Sequence, residues 1–77
     1  MTDPELARLR WRCRRGMGEL DLLLQRWLQT RWPVADAACR ADFRRLLDAE
    51  DDRLWAWVIG REPAPDEGLA RLIDELA

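Results

Sequence analysis

Several residue types on which enzymes depend are missing from this sequence. It contains no histidine, no serine and no tyrosine, and all thirteen of its basic residues are arginine. Without histidine it lacks the commonest general base at neutral pH and the commonest metal ligand. It has no serine nucleophile, no histidine to activate a cysteine, and neither a P-loop nor a GxGxxG motif. We therefore expect a protein that is not an enzyme and has no metal site.

Cysteines are scarce and long apolar runs are absent. Cys13 and Cys39 are too few for a disulfide framework and have no zinc-binding spacing. Both fall on the apolar sides of predicted helices, so we expect reduced core residues. The N-terminal residues contain no apolar signal-peptide segment, and no apolar run approaches the roughly 20 residues needed to span a bilayer. We expect no membrane insertion and a cytoplasmic location.

Length and composition indicate one small helical domain. With 77 residues, 48 % of them hydrophobic and 36 % charged, the chain is too apolar for a disordered tail and too charged for a membrane span. A core of this size usually yields only about 3 to 5 kcal/mol of net stability. No strand-like alternation occurs. The sequence predicts an all-α fold over residues 1–77, a bundle of about five short helices.

Charge is distributed unevenly along the chain. Residues 1–15 contain five arginines and two acids, whereas residues 48–77 contain nine acids and three arginines. On a helix, Arg8, Arg12 and Arg15 would form one row and Arg10 and Arg14 an adjacent one, which could contact phosphates. The isoelectric point near 5.1 argues against a nucleic-acid binder. A solvated face or a local docking surface fits the pattern better, and the all-arginine composition reflects either bidentate pairing with carboxylates or a bias of the source genome.

The first helix is expected to begin near Pro4, with Asp3 or Thr2 as its cap. The arginines would occupy its last turn and Gly16 would end it in a left-handed conformation. Trp11 lies about 200° from the apolar position Leu9, which places it on the outer side. Trp11 then either packs against another helix or is exposed and available to bind a partner protein. The apolar positions of this helix are Leu6, Leu9 and Cys13.

The second helix is the most regular, running from Gly18 or Glu19 to Thr30 or Arg31. Leu22 lies outside its apolar stripe and is expected to widen the buried face. Trp32 precedes Pro33, which pushes it out of the helical region and ends the helix. The stripe follows the i, i+3, i+4, i+7, i+8 pattern of an amphipathic helix and comprises Leu20, Leu23, Leu24, Trp27 and Leu28.

Three further helices complete the predicted bundle. Asp36 would cap the third, whose apolar positions are Cys39, Phe43, Leu46 and Leu47. The acidic run 50–52 would open a fourth helix that continues through Ile59 and ends at Gly60; its inner positions are Leu54, Trp57 and Val58, with Trp55 at the edge. Gly68 would cost the fifth helix about 1 kcal/mol relative to alanine. The stripe of that helix comprises Leu69, Leu72, Ile73 and Leu76.

Two segments carry a family resemblance. Residues 15–19 read RGMGE, and the longer stretch 11–21 reads WRCRRGMGELD, which resembles the RGxxE signature of the SdhE family of small helical assembly factors. Residues 45–57 read RLLDAEDDRLWAW and resemble a second segment of the same family. Both keep the family spacing and order. The resemblance therefore covers most of the chain.

The resemblance implies an assembly factor for the flavoprotein subunit of succinate dehydrogenase, and possibly of fumarate reductase. Such a factor would promote covalent attachment of FAD to a histidine of that subunit, so the FAD would belong to the partner and no cofactor would be bound by this chain. We expect a monomer when free, with no nucleic-acid partner. The partner-binding residues that the resemblance implies are Arg8, Trp11, Arg14, Arg15, Gly16, Met17, Glu19 and Asp21.

Other readings of the same residues stay open at this point. Spacing alone would make Gly16 a helix cap and Glu19 a favourable charge at the start of the next helix. The protein could also be a helical adaptor or antitoxin-like regulator without a role in flavin chemistry. The chain departs from the family pattern at Gly18, where a larger residue is common. It also has Trp32 and Pro33 in a connection where the family often has a tyrosine.

Overall fold

The computed structural model describes residues 3–76, and over that range the protein is all helical. No strand occurs among these residues, so the predicted all-α fold is confirmed. None of the helices in this part of the chain is long and apolar enough to cross a membrane. The elements are α1 (Pro4–Arg12), α2 (Gly18–Thr30), a 3-10 turn (Trp32–Val34), α3 (Ala37–Leu47), α4 (Asp51–Val58) and α5 (Glu67–Leu76).

Helix α1 begins as predicted and ends early. The Asp3 carboxylate accepts the backbone N–H of Glu5, and Pro4 occupies the first turn. Thr2, the other candidate cap, lies outside the described residues. The helix stops at Arg12, and Cys13 is its C-cap. The prediction that α1 reaches Gly16 is therefore wrong.

Hydrogen bonds to other elements explain the early end of α1. The backbone N–H groups of Arg15 and Gly16 both bind the Asp21 carboxylate, at 2.9 and 3.1 Å. These two N–H groups are therefore not available for the backbone hydrogen bonds that would extend α1. Gly16 does have a positive φ of 81°, but it lies in the connection and not directly after the helix. Arg14 and Arg15 accordingly fall outside the helix on which the sequence placed them.

The stripe of α2 packs into the core, with one error in the prediction. Leu22 is 71 % exposed and does not widen the buried face. At 100° per residue it lies about 200° from both Leu20 and Leu24, which are fully buried, so it must face away from them. Leu23 is half-buried at the edge.

Aromatic rings form the centre of the core. Trp27 of α2 stacks on Phe43 of α3 with ring centroids 4.4 Å apart, and Trp32 packs edge-on against both rings. The 3-10 turn that carries Trp32 was not predicted, although the end of α2 before Pro33 was. Asp36 caps α3 as expected by accepting the backbone N–H of Cys39 at 2.8 Å.

The two cysteines differ in burial. Cys13 is completely buried, whereas Cys39 is only half-buried between α3 and α5. Neither forms a disulfide, and burial raises the pKa of the Cys13 thiol to about 11. A thiol with such a pKa stays protonated at neutral pH and reacts slowly. The expected core position is confirmed for Cys13, while Cys39 lies at the edge of the core.

Helix α5 agrees with its sequence pattern, whereas α4 departs from it in two places: it ends one residue before the predicted Ile59, and the predicted inner residue Val58 is only half-buried while Ala56 is buried. Helix α4 ends at Val58, and Gly60 follows its cap Ile59 with a φ of 79°. All four stripe residues of α5 are buried. Gly68 has a packing reason, because a Cβ there would lie 2.5 Å from the Asp42 carboxylate of α3. Glycine lowers the helix propensity at this position, but its lack of a side chain leaves room for the Asp42 side chain of α3 beside α5.

An exposed ion pair fastens the start of α5 to α3. The Asp66 carboxylate accepts a hydrogen bond from Arg45 at 2.9 Å and caps α5 through the backbone N–H of Leu69 at 3.0 Å. These contacts, Arg45 first, lower the pKa of Asp66 from its usual 3.8 to about 2. Because this pKa is lower in the folded state, the contact stabilises the fold above about pH 4. That contribution is lost as the pH falls towards 2.

We expect Asp66→Asn to be less stable than the wild type at neutral pH, because asparagine keeps the cap and loses the ion pair. The difference in free energy of unfolding should shrink as the pH falls from about 4 to about 2. Urea unfolding at a series of pH values measures it. The control is Asp74→Asn, which removes an exposed acid whose side chain forms no hydrogen bond within residues 3–76. A difference that stays constant down to pH 2 would contradict the prediction.

Candidate docking site

The connection between α1 and α2 is held from the side of α2. Cys13 is buried at the start of the connection, and Asp21, in the first turn of α2, binds the backbone N–H groups of Arg15 and Gly16. Gly16 is exposed, and a Cβ placed on it would meet nothing within 4 Å. Glycine is needed here for its left-handed backbone and not for internal packing. The outer side of the loop is open to an approaching backbone.

The Arg15 side chain points into the protein. One guanidinium nitrogen donates to the Ala49 carbonyl at 2.7 Å and to the Asp51 carboxylate at 2.9 Å, and the other donates to the Leu47 carbonyl. The side chain is 10 % exposed. Its position satisfies carbonyls at the end of α3, where a cation is favoured by the helix dipole. Arg15 therefore ties the loop to the α3–α4 junction.

This contact joins the two segments that carry the family resemblance. Arg15 belongs to the first segment, and all three of its acceptors belong to the second. The acceptors lie 32 to 36 residues further along the chain. The second segment thus supports the loop formed by the first.

Three of the predicted site residues lie together on the outer side of the loop and of α1. Trp11 is 70 % exposed, as its helical angle predicted, and the Arg14 guanidinium lies 5.7 Å from the centre of its ring. Arg8 is exposed one turn before Trp11 on the same helix. An exposed tryptophan flanked by arginines has the composition of a protein-binding hot spot.

The arginine row that would contact phosphates does not form. Arg8 is exposed, but Arg12 pairs with the Asp48 carboxylate at 2.5 Å and Arg15 is turned inward. Only one of the three cations in that row is left for an outside ligand. This geometry is a further argument against the hypothesis that the protein binds nucleic acid.

Two further predicted residues, Met17 and Glu19, lie at a shallow hollow. Met17 is half-buried, and Gly18 and Glu19 are exposed at the first turn of α2. Together with Leu20 and Trp55 they line a surface hollow of about 290 Å³. Trp55 was not among the residues predicted for the site. Its place in the second family-like segment was the signal that could have identified it.

The structure therefore separates the eight predicted residues by orientation. Gly16 shapes the loop, while Arg15 and Asp21 bind it from the inside. Within residues 3–76, no set of three histidine, cysteine or acidic side chains is placed to hold a metal ion. The residues that face outward are Arg8, Trp11, Arg14 and Glu19, while Met17 is half-buried against the core.

Comparison with known proteins identifies the family. A family model described as "Flavinator of succinate dehydrogenase" matches residues 7–77. The FAD assembly factor SdhE of Xylella fastidiosa strain 9a5c is 53 % identical over 74 residues, which are 95 % of this chain and 76 % of that protein. Those of Shewanella oneidensis and Pseudomonas aeruginosa are 44 % and 42 % identical, with 88 % and 92 % of this chain and 83 % and 84 % of the relatives aligned.

No solved structure matches the chain at a significant level. The family model nevertheless includes both segments that meet at Arg15, and it extends over all but the first six residues. The chain belongs to the family of flavinators of succinate dehydrogenase.

Proposed function

We propose that this chain is an FAD assembly factor that binds the flavoprotein subunit of succinate dehydrogenase and promotes covalent attachment of FAD to a histidine of that subunit. The histidine must be the partner's, because this chain has none. The relatives named as FAD assembly factors support the activity. The observation that carries the assignment to this surface is the loop 14–17, which Arg15 and Asp21 hold from the inside while its outer side stays open.

The mechanism is conformational. The factor would bind the flavoprotein before the iron–sulfur subunit does, and favour a geometry in which bound FAD meets the reacting histidine. Correct placement of two reacting groups can lower the activation free energy by several kcal/mol. No group of the factor therefore needs to take part in the reaction itself. Arg8, Trp11 and Arg14 would contact an acidic and apolar part of the partner. Because Gly16 has no side chain, the backbone of the partner could come close to the loop at this position.

Further details belong to the same proposal. The flavoprotein subunit of fumarate reductase would be a second partner, because the same loop could recognise a related subunit. The free factor would be a monomer in the cytoplasm, and the FAD would be held by the partner and not by this chain. The inward position of Arg15 and the acidic C-terminal half support a protein partner over a nucleic acid.

Co-expression with the flavoprotein subunit from the same source tests the proposal. We expect the intact chain to raise covalent flavin, measured as protein-bound flavin fluorescence after denaturing electrophoresis. Gly16→Arg and Glu19→Ala should not raise it, although their circular dichroism spectra should stay helical. Glu62→Ala is the matched control, since Glu62 is also exposed and its side chain forms no hydrogen bond within residues 3–76.

The opposite result would be equally clear. If covalent flavin were the same with and without the chain, the assembly-factor proposal would be rejected. A helical adaptor or antitoxin-like regulator would then be the better description of this protein.

A further inference from the structure

We propose that the hollow between Met17, Glu19 and Trp55 receives one arginine side chain of the flavoprotein partner. This inference deepens the proposed function and rests on it. It adds the chemistry of the group that docks at Glu19 and assigns a contact role to Trp55.

The first observation is that Glu19 has no partner of its own. Its carboxylate forms no hydrogen bond and no ion pair with any group in the described chain, although it is exposed beside a loop rich in arginine. Three nearby acids are used, since Asp21 binds the loop backbone, Asp48 pairs with Arg12 and Asp51 binds Arg15. Among the residues that line the hollow, Glu19 is the acid that is left for an outside cation.

The second observation is the lining of the hollow. Met17 and Trp55 give it apolar walls, while Glu19 supplies the only charge among its lining residues. Gly18 has no side chain, and a Cβ built there meets nothing within 4 Å, so the rim of the hollow is open on that side. Trp55 is half-buried, which leaves part of it accessible. The hollow therefore offers apolar surface and one negative group side by side.

An arginine matches this combination better than other side chains. Its aliphatic stem can lie against Met17, its planar guanidinium can stack on Trp55, and its two-pronged donor edge fits the Glu19 carboxylate. A lysine ammonium lacks the flat face and the paired donors. A purely apolar group would desolvate Glu19 without replacing its hydrogen bonds to water, and an anion would be repelled.

Such a contact would also set the orientation of docking. The surface near Trp11 is basic and fits an acidic part of the partner, whereas the hollow fits a basic one. A partner with these charges in the opposite order would place like charges together. The two contacts would then define which way round the flavoprotein binds.

Calorimetric titration of the flavoprotein with the full chain, at low and high salt, tests the inference. We expect Glu19→Gln to weaken binding about tenfold or more and to reduce its salt dependence, because one ion pair is lost. Trp55→Leu should weaken binding about threefold to tenfold. The double variant should lose less than the product of the two factors, because both residues contact the same side chain. Glu62→Gln is the control and should bind like the wild type.

The outcomes are distinct for the two proposals. If the wild type does not bind the flavoprotein, the proposed function fails. If the wild type binds and Glu19→Gln binds equally well, the inference is overturned while the proposed function stands. Independent effects of Glu19 and Trp55 with unchanged salt dependence would also overturn it.

A charge exchange identifies the partner's residue. Glu19→Arg should bind the native flavoprotein poorly, and binding should return when one surface arginine of the flavoprotein is replaced by glutamate. Failure of every surface arginine of the flavoprotein to give this rescue would overturn the assignment to arginine.

Discussion

Replacement of Arg15 by alanine is expected to lower the free energy of unfolding by about 3 kcal/mol. The side chain is 10 % exposed and satisfies the carbonyls of Leu47 and Ala49 together with the Asp51 carboxylate. Its loss leaves these acceptors unpaired at a partly buried junction. A core of this size supplies about 3 to 5 kcal/mol, so the variant should be close to unfolding without denaturant.

Urea unfolding followed by far-UV circular dichroism measures this change. Arg14→Ala is the control, because Arg14 is the neighbouring arginine and is exposed, so it should change stability by less than about 0.5 kcal/mol. Arg15→Lys should fall between the two, since one ammonium group cannot reproduce the forked contacts. A loss below about 1 kcal/mol for Arg15→Ala would mean that this side chain does not hold the loop.

Asp21→Ala is expected to lower the free energy of unfolding by about 2 kcal/mol. Its carboxylate accepts the backbone N–H groups of Arg15 and Gly16, and no other acceptor in the described chain is bonded to them. Asp21→Asn should lose less, because the amide keeps one acceptor oxygen. The same urea titration measures both variants, and covalent flavin in the co-expressed flavoprotein should fall with the loss of loop structure.

Glu19→Ala is the matched comparison for Asp21, two residues away on the same helix. The Glu19 side chain forms no hydrogen bond or ion pair within residues 3–76, so its replacement should leave stability within about 0.5 kcal/mol while abolishing the rise in covalent flavin. Equal losses of stability for the two variants would contradict this separation. Such a result would mean that Glu19 and Asp21 affect covalent flavin only by stabilising the fold.

Much of the fold could be predicted from local patterns. The i, i+3, i+4 spacing of apolar residues identified the buried faces of α2 and α5, and Asp3 and Asp36 were recognised as caps by residue type. The exposure of Trp11 followed from its helical angle. The same angle would have placed Leu22 outside as well, because it lies opposite Leu20.

What could not be predicted depends on contacts between distant segments. The end of α1 is set by the bonds that Arg15 and Gly16 form with Asp21, and no periodic pattern encodes that competition. The direction of the Arg15 side chain depends on acceptors more than 30 residues away. The neighbourhood of Trp55 and Met17 likewise required the packed helices.

The resemblance predicted a set of site residues, and the structure divides them by what they touch. Sequence similarity alone placed Arg15 and Asp21 with Glu19 as partner-binding residues. In the fold, the first two are engaged internally, whereas Glu19 faces outward. Contact of the outward residues with a flavoprotein stays a prediction, and the variants above separate it from effects on folding.

The exposure of Trp11 has an optical consequence. Of the five tryptophans, Trp27, Trp32 and Trp57 are buried, Trp55 is half-buried, and Trp11 is 70 % exposed. Indole emission from Trp11 is therefore open to collisional quenching by a small anion such as iodide, which the nearby Arg14 would attract. The interior indoles are shielded from it. The protein thus carries its own fluorescent reporter, without any added label, at the edge of the surface on which a partner would settle.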